Sequence, residues 1–140
     1  EKHWDDFGPT MLSFIQKDWT SEELTNAHFL RQDVNNKMRR FMEHYDLLLT
    51  PTLAVSPFEI GINGPTVIEG REVPDSHWLS FTFPINMTGQ PAATVPAGWT
   101  EDGLPIGLQL VGRHLDDATV LRASAAYESA NPWAHRWPNI

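Results

Sequence analysis

Apolar residues recur at helical spacing through the first third of the chain and fall into short runs afterwards. Trp4, Phe7, Met11, Phe14 and Ile15 keep a helical period across Gly8-Pro9. Thr20-Ser21-Glu22-Glu23 then reads as a capping box, with Thr20 as N-cap and Glu23 three residues on. Leu24, Ala27, Val34, Met38, Phe41 and Tyr45 follow at spacings of three, four and seven. The pattern predicts a long amphipathic helix whose apolar stripe is interrupted by Arg31.

Beyond that helix the period changes. Leu47-Leu48-Leu49 is a continuous apolar run closed by Thr50-Pro51, which predicts a central strand covered on both faces. Residues 51 to 76 are rich in Pro and Gly and read as loop, with a small hairpin where Val67-Ile68 and Val73 flank Glu69-Gly70-Arg71-Glu72. Residues 77 to 87 are aromatic-rich and partly helical in pattern. Thr94-Val95-Pro96 and Gly107-Leu108-Gln109-Leu110-Val111 read as two strands, and Asp102-Gly103 supplies the turn of an antiparallel pair. Asp116 caps a last helix through Leu121, Ala125 and Tyr127, ended by Asn131-Pro132. The tail from Trp133 to Ile140 carries aromatic and basic anchors suited to packing on another surface. Helices and strands mix along the chain without repeats, so the fold class is α/β.

Composition narrows the function more than the fold. With 140 residues the chain is one domain or part of a larger one. It is 41% hydrophobic and 20% charged, the balance of a globular protein. A net charge of -8 leaves too few Lys and Arg to track phosphates, which excludes nucleic acid as a partner class. Arg39-Arg40, the densest basic point, reads as a solvated helix face. The absence of cysteine removes disulfides, thiolate nucleophiles and Cys-based zinc sites, and suits a cytoplasmic, reducing setting. No apolar run approaches the ~20 residues that span a bilayer, so no membrane partner is expected. The chain opens on Glu1 inside a helix-like pattern, which raises the expectation that residues precede it.

Chemistry-bearing patterns are scarce. The histidines at 3, 28, 44, 77, 114 and 135 show neither HExxH spacing nor clustering with acids, and no metal is expected. No GxSxG elbow marks a serine, and Ser56, Ser76 and Ser80 sit in turn-like segments where a hydroxyl satisfies backbone groups. Asp116-Asp117 falls at a helix start and reads as a cap, not as an acid–base pair. No phosphate-cradling glycine loop occurs, and no cofactor is expected. Residue by residue, this is a mixed α/β segment without a self-contained catalytic apparatus.

Three stretches carry a resemblance. Asp46-Leu47-Leu48-Leu49-Thr50-Pro51-Thr52 resembles the D-x-L-L-x-P-T segment of amidase-signature enzymes. Asn86 to Gly98 is similar to the family's N-x-x-G-x-P-A-x-x-x-P-x-G stretch, and Asp102 to Gly112 to its D-G-L-P-I-G-x-Q-L-x-G run. The tail from Pro132-Trp133 to Pro138 is also similar to endings in that family. Together the matches cover most of residues 20 to 140, in the family's order.

The resemblance implies the C-terminal part of an α/β sandwich, with a mixed central sheet and helices on both faces. Residues 1–140 would then form the C-terminal segment of an amidase domain whose N-terminal half lies elsewhere. The implied chemistry is hydrolysis of carboxylic amides, by a serine nucleophile, a second serine in a cis peptide bond, and a lysine. Those residues belong to a Gly-Ser-rich stretch of the N-terminal half. This chain has no Ser-Ser and no Gly-Gly dipeptide, and Lys2, Lys17 and Lys37 match no triad position. No catalytic residue is therefore assigned, and the isolated chain is expected to be inactive. Thr50, Pro51, Phe83, Asn86 and Gln90 are the expected substrate-side residues, with Phe58, Trp78 and Phe81 as further pocket walls or core. Gly89 and Gly98 read as backbone-turn positions. Where ammonia-transferring members place an acid, Leu79 and Ser80 stand. That favours a less polar amide substrate over the alternative, an A-type component of an amidotransferase. The other alternative is a non-catalytic binding module derived from an amidase. The expected partners are the small-molecule amide, the N-terminal half, and further copies of the protein in a homo-oligomer.

Overall fold

The computed structural model describes residues 3–136, and the chain divides between Gln32 and Asp33 into two units. In the first, the pattern over residues 4–15 does not form one helix. A 3-10 turn spans Trp4–Asp6, the backbone extends at Phe7 and Gly8, and α1 begins at Pro9 and runs Pro9–Gln16. Proline disfavours a helical residue before it but is suited to the first turn, so Gly8-Pro9 starts a helix and does not continue one. Trp4, Phe7, Met11, Phe14 and Ile15 all stand exposed.

Helix α2, Ser21–Met42, starts in this unit and ends in the other. Its capping box closes both ways: the Thr20 N–H donates to Glu23 Oε2 at 2.9 Å and the Glu23 N–H to Thr20 Oγ1 at 3.1 Å. The Thr20 N–H, with Lys17 Nζ 3.1 Å from Glu23 Oε1, holds the Glu23 carboxyl below the usual carboxylate range. Lys17 also lies 3.9 Å from the centroid of the Trp19 ring.

In the second unit β1 (Leu47–Pro51), β4 (Ala92–Trp99) and β5 (Pro105–Gly112) form an antiparallel sheet in the order β1-β5-β4. Between β1 and β4 the hairpin forms as expected. β2 (Val67–Ile68) and β3 (Arg71–Glu72) pair across Glu69 and Gly70. Both turn residues have positive φ, 51° and 71°, which marks the type I′ geometry that suits twisted strands. A 3-10 turn at His77–Leu79 and α3 (Phe83–Thr88) make the aromatic stretch partly helical. Gly89 ends α3 in the left-handed conformation at φ 70°.

The Asp102-Gly103 turn joins β4 to β5, with Gly103 at φ 81° and Thr94 facing Gln109 in register. Gly98 is not a turn residue: it lies inside β4, where the register slips between Pro96 and Gly98 in a bulge. The leucine strand also departs from expectation. Among the described residues β1 is an edge, and β5 is the central strand because it pairs on both sides. Leu47 and Leu48 are half-buried, but Leu49 is 55% exposed.

Helix α4 (Asp117–Ala130) packs on β4 and β5, and its Val120 is buried. A Cβ at Gly112 would stand 2.6 Å from Val120 Cγ2, so helix and strand approach as closely as glycine permits. The opposite face holds Val111, which is fully buried, and Gln109, which donates to the carbonyl of Phe81. The described part of the tail stays close: Trp133 lies beside Tyr127, and Arg136 sits 5.0 Å from the centroid of Trp99. Residues 1–2 and 137–140 lie outside the described residues. No helix among the described residues is long and apolar enough to cross a membrane.

Asp116 caps α4 by accepting from the Thr119 N–H at 3.2 Å, and the Thr119 hydroxyl first, with that N–H behind it, holds its carboxyl below the usual range. A depressed folded-state pKa stabilises above the unfolded pKa, and the stabilisation is lost as pH falls through the folded value. Asp116→Ala should therefore lower the melting temperature at neutral pH, and Asp116→Asn should keep the cap. Melting curves between neutral pH and acid check this: the gap between wild type and Asp116→Asn should shrink below about pH 4.

Candidate substrate-side pocket

Antiparallel pairing puts directly opposed side chains on one face. On the face away from α4, that rule aligns Thr50 of β1, Gln109 of β5 and Thr94 of β4 in one row. Gln109 is 5% exposed, and its Nε2 donates to Thr50 Oγ1 and to the Phe81 carbonyl, both at 3.0 Å. One buried amide thus joins the sheet to the segment that leads into α3.

The next row is Thr52, Gly107 and Pro96. The hydroxyls of Thr52 and Thr94 bond to each other across Gly107. A Cβ at Gly107 would meet Thr52 Oγ1 at 2.6 Å and Thr94 Oγ1 at 2.8 Å, so only glycine leaves this pair in place. Beside the threonines opens a trough of about 450 Å³. Its walls include Leu53, Val55, Pro57, Pro105 and Ile106. It is an apolar hollow with two hydroxyls at one side, a lining suited to a small, largely apolar group.

A second hollow, about 540 Å³, lies between the end of α2 and the ends of α3 and β5. Asn35, Arg39, Gln90, Arg113 and His114 line it. Its cations are engaged: Arg39 pairs with Glu43 at 2.6 Å, and Arg113 with Asp46 at 3.0 Å. Arg113 Nε also donates to the carbonyls of Met42 at 3.0 Å and Tyr45 at 3.2 Å, satisfying the C-terminal end of α2. Gln90 is 9% exposed, and its Oε1 is buried with no partner among the described residues.

The expected substrate-side residues are spread over these features. Thr50 sits in the buried polar row, and Pro51 is exposed at the end of β1. Phe83 and Asn86 are exposed on α3, and Gln90 lines the second hollow. Trp78 and Phe58 pack edge to face at 5.3 Å, and Trp78 Nε1 donates to the Asn63 carbonyl, so both hold the loop together. Leu79 is half-buried, and Ser80 Oγ donates to the His77 carbonyl. Ser80 lines a third hollow with Glu69, Arg71 and His77. Gln109, Arg113 and the Thr52–Thr94 pair were not singled out from the sequence. The signal for Gln109 was present, since a polar residue inside an apolar strand run needs a buried partner.

An antiparallel sheet with a helix on one face and a polar row joined to a helical loop on the other defines an α/β protein. The amidase family profile matches residues 11–121, and the chain belongs to that family. It is 42% identical over 121 residues to an acylamidase of Rhodococcus erythropolis, covering 85% of this chain and 25% of that protein. It is 36% identical over 109 residues to a glutamyl-tRNA(Gln) amidotransferase component of Thermodesulfovibrio yellowstonii, covering 76% of this chain and 21% of that one. Among solved structures it resembles a bacterial aryl acylamidase of the amidase signature family, with TM-score 0.85 and 33% identity, over 96% of this chain and 29% of that one. The chain thus spans about a quarter of the length of the relatives it matches.

The two buried glutamines give opposite expectations. Gln109→Leu strips two acceptors of their donor and should cost ~1–3 kcal/mol in urea unfolding. Gln90→Leu removes an oxygen that has no donor among the described residues, and the unfolding midpoint of the 140-residue chain should hold or rise.

Proposed function

We propose that these residues are the C-terminal, substrate-side segment of an amidase that hydrolyses carboxylic amides to an acid and ammonia or an amine. The observation that carries the reading is the joint likeness to two acylamidases, 42% identity to one and a TM-score of 0.85 to the structure of the other. The likeness covers nearly all of this chain and only 25–29% of those proteins. The activated hydroxyl, its base and the oxyanion donors would come from the rest of the polypeptide. This segment would supply the apolar trough with its threonine pair, and Thr50, Pro51, Phe83, Asn86 and Gln90 would stand on the substrate side. The preferred substrates are amides with an aliphatic or aromatic acyl or amine part. A cysteine-free composition supports a cytosolic enzyme, and the exposed apolar residues support assembly into a homo-oligomer.

The amidotransferase reading rests on the second relative. It requires recognition of glutamine, and Leu79 and Ser80 offer no carboxylate for its amino group.

The test uses a panel of aryl and alkyl amides with glutamine included, and a serine-directed fluorophosphonate. The complete enzyme should turn over the simple amides faster than glutamine and label at one serine. The 140-residue chain should do neither. Turnover and stoichiometric serine labelling in the 140-residue chain would overturn the assignment, and a preference for glutamine would favour the amidotransferase.

A further inference from the structure

A hydroxyl has one proton to give and two lone pairs to accept with, so a chain of hydroxyls has a direction. The Thr52–Thr94 pair over Gly107 is such a chain. Thr94 Oγ1 donates to the Leu108 carbonyl at 3.4 Å, which uses its single proton. The bond between the two hydroxyls then runs from Thr52 Oγ1 to Thr94 Oγ1. Thr52 is left with lone pairs and no proton to give.

Donors in the backbone around it are spent or missing. The Thr52 N–H donates to the Gly107 carbonyl at 2.9 Å and the Ala54 N–H to the Trp78 carbonyl at 3.1 Å. Pro57, Pro96 and Pro105, which also line the trough, have no N–H. Ser56 is the other hydroxyl in the lining, but it is exposed and rotates to accept or donate equally. The hydroxyl pair fixed beside this apolar hollow of about 450 Å³ therefore accepts from it and does not donate to it.

We infer that the trough selects an apolar group bearing a hydrogen-bond donor, an O–H or N–H, and that Thr52 Oγ1 is the atom that reads it. The inference deepens the proposed amidase reading and rests on it for calling the occupant part of a substrate. The preferred amide then carries a hydroxyl or amino group on its aryl or alkyl part, and its methyl ether is disfavoured. The donor meets a lone pair of Thr52, whereas an ether oxygen in the same place sets two acceptors against each other. Thr94 is a positioning residue, because it takes the Thr52 proton out of the trough. Gly107 makes the arrangement possible, since a Cβ there would stand 2.6 Å from Thr52 Oγ1 and 2.8 Å from Thr94 Oγ1.

The complete polypeptide is assayed with matched para-hydroxy and para-methoxy aryl amides, and with the unsubstituted compounds. One pair has the ring on the acyl side, the other on the amine side. In at least one pair the hydroxy compound should be favoured in kcat/KM by about tenfold. Thr52→Val keeps the shape and removes the lone pairs, so that ratio should fall to within about twofold, and Thr52→Ser should restore it. Thr94→Val removes the acceptor of the Thr52 proton, so the Thr52 hydroxyl turns to donate and the ratio should fall or reverse. A merely structural role for Thr94 would lower both rates and leave the ratio. Equal use of both compounds by the wild type would overturn the inference. So would a preference that survives Thr52→Val or Thr94→Val, or one that Ser56→Ala abolishes. In each of these cases, turnover of the unsubstituted amides leaves the amidase reading standing. Binding of the same compounds is read separately, from chemical-shift changes at the Gly107 amide. A Thr52-dependent preference in binding, without turnover of any amide, would retain the donor-selective trough and remove the amidase reading. Neither binding nor turnover would remove both.

Discussion

The three-stranded sheet of the second unit hangs on β5, which directs alternate peptide groups to β1 and β4 and so holds two strands far apart in sequence. Its side chains extend the same role. Gln109 reaches Thr50 and the Phe81 carbonyl, which brings the α3 segment onto one face. Gly112 lets Val120 of α4 close onto the other. Arg113, just past the strand, satisfies the carbonyls at the end of α2 and pairs with Asp46. One eight-residue strand and its flank therefore position β1, β4, α3 and α4 and fasten the end of α2.

The small residues of β5 are as consequential as the large ones. Pro105, Gly107 and Gly112 cannot contribute apolar burial on the scale of Leu110 or Val111, yet two of them permit contacts that nothing larger would. Gly107 allows two threonine hydroxyls to meet across the strand, and that pair borders the apolar trough. The polar groups are thus confined to a row that satisfies itself, while the hollow beside it stays apolar. On the proposed amidase reading, such a surface would bind by shape and by a few fixed hydroxyls, with charge and nucleophile supplied from elsewhere.

The exposed features are coherent with a part of a larger domain. A leucine run at a sheet edge, a buried Gln90 oxygen with no partner among the described residues, and a first unit with exposed aromatic and aliphatic side chains are each costly in isolation. On the proposed amidase reading, added chain would remove each cost, with a donor at the glutamine or cover over the leucines and aromatic groups. The acylamidase relative is about three and a half times as long as this chain, since the matched residues are 85% of one and 25% of the other.

Local events were legible in the residues alone. The capping box at Thr20, the Asp116 cap, the Glu69-Gly70 hairpin and the Asp102-Gly103 turn rest on bonds within a few residues, which neighbours in the chain specify. Motif order also sufficed for the family. Which strand is central among the described residues was not legible, because strand order depends on pairing partners and not on the apolarity of a run. The same holds for the site. Gln109 and Thr50 are 59 residues apart, and Arg113 and Met42 are 71 apart, so no periodicity relates them. Gly8-Pro9 shows the opposite case: a local rule about proline overrode an apolar spacing that ran through it.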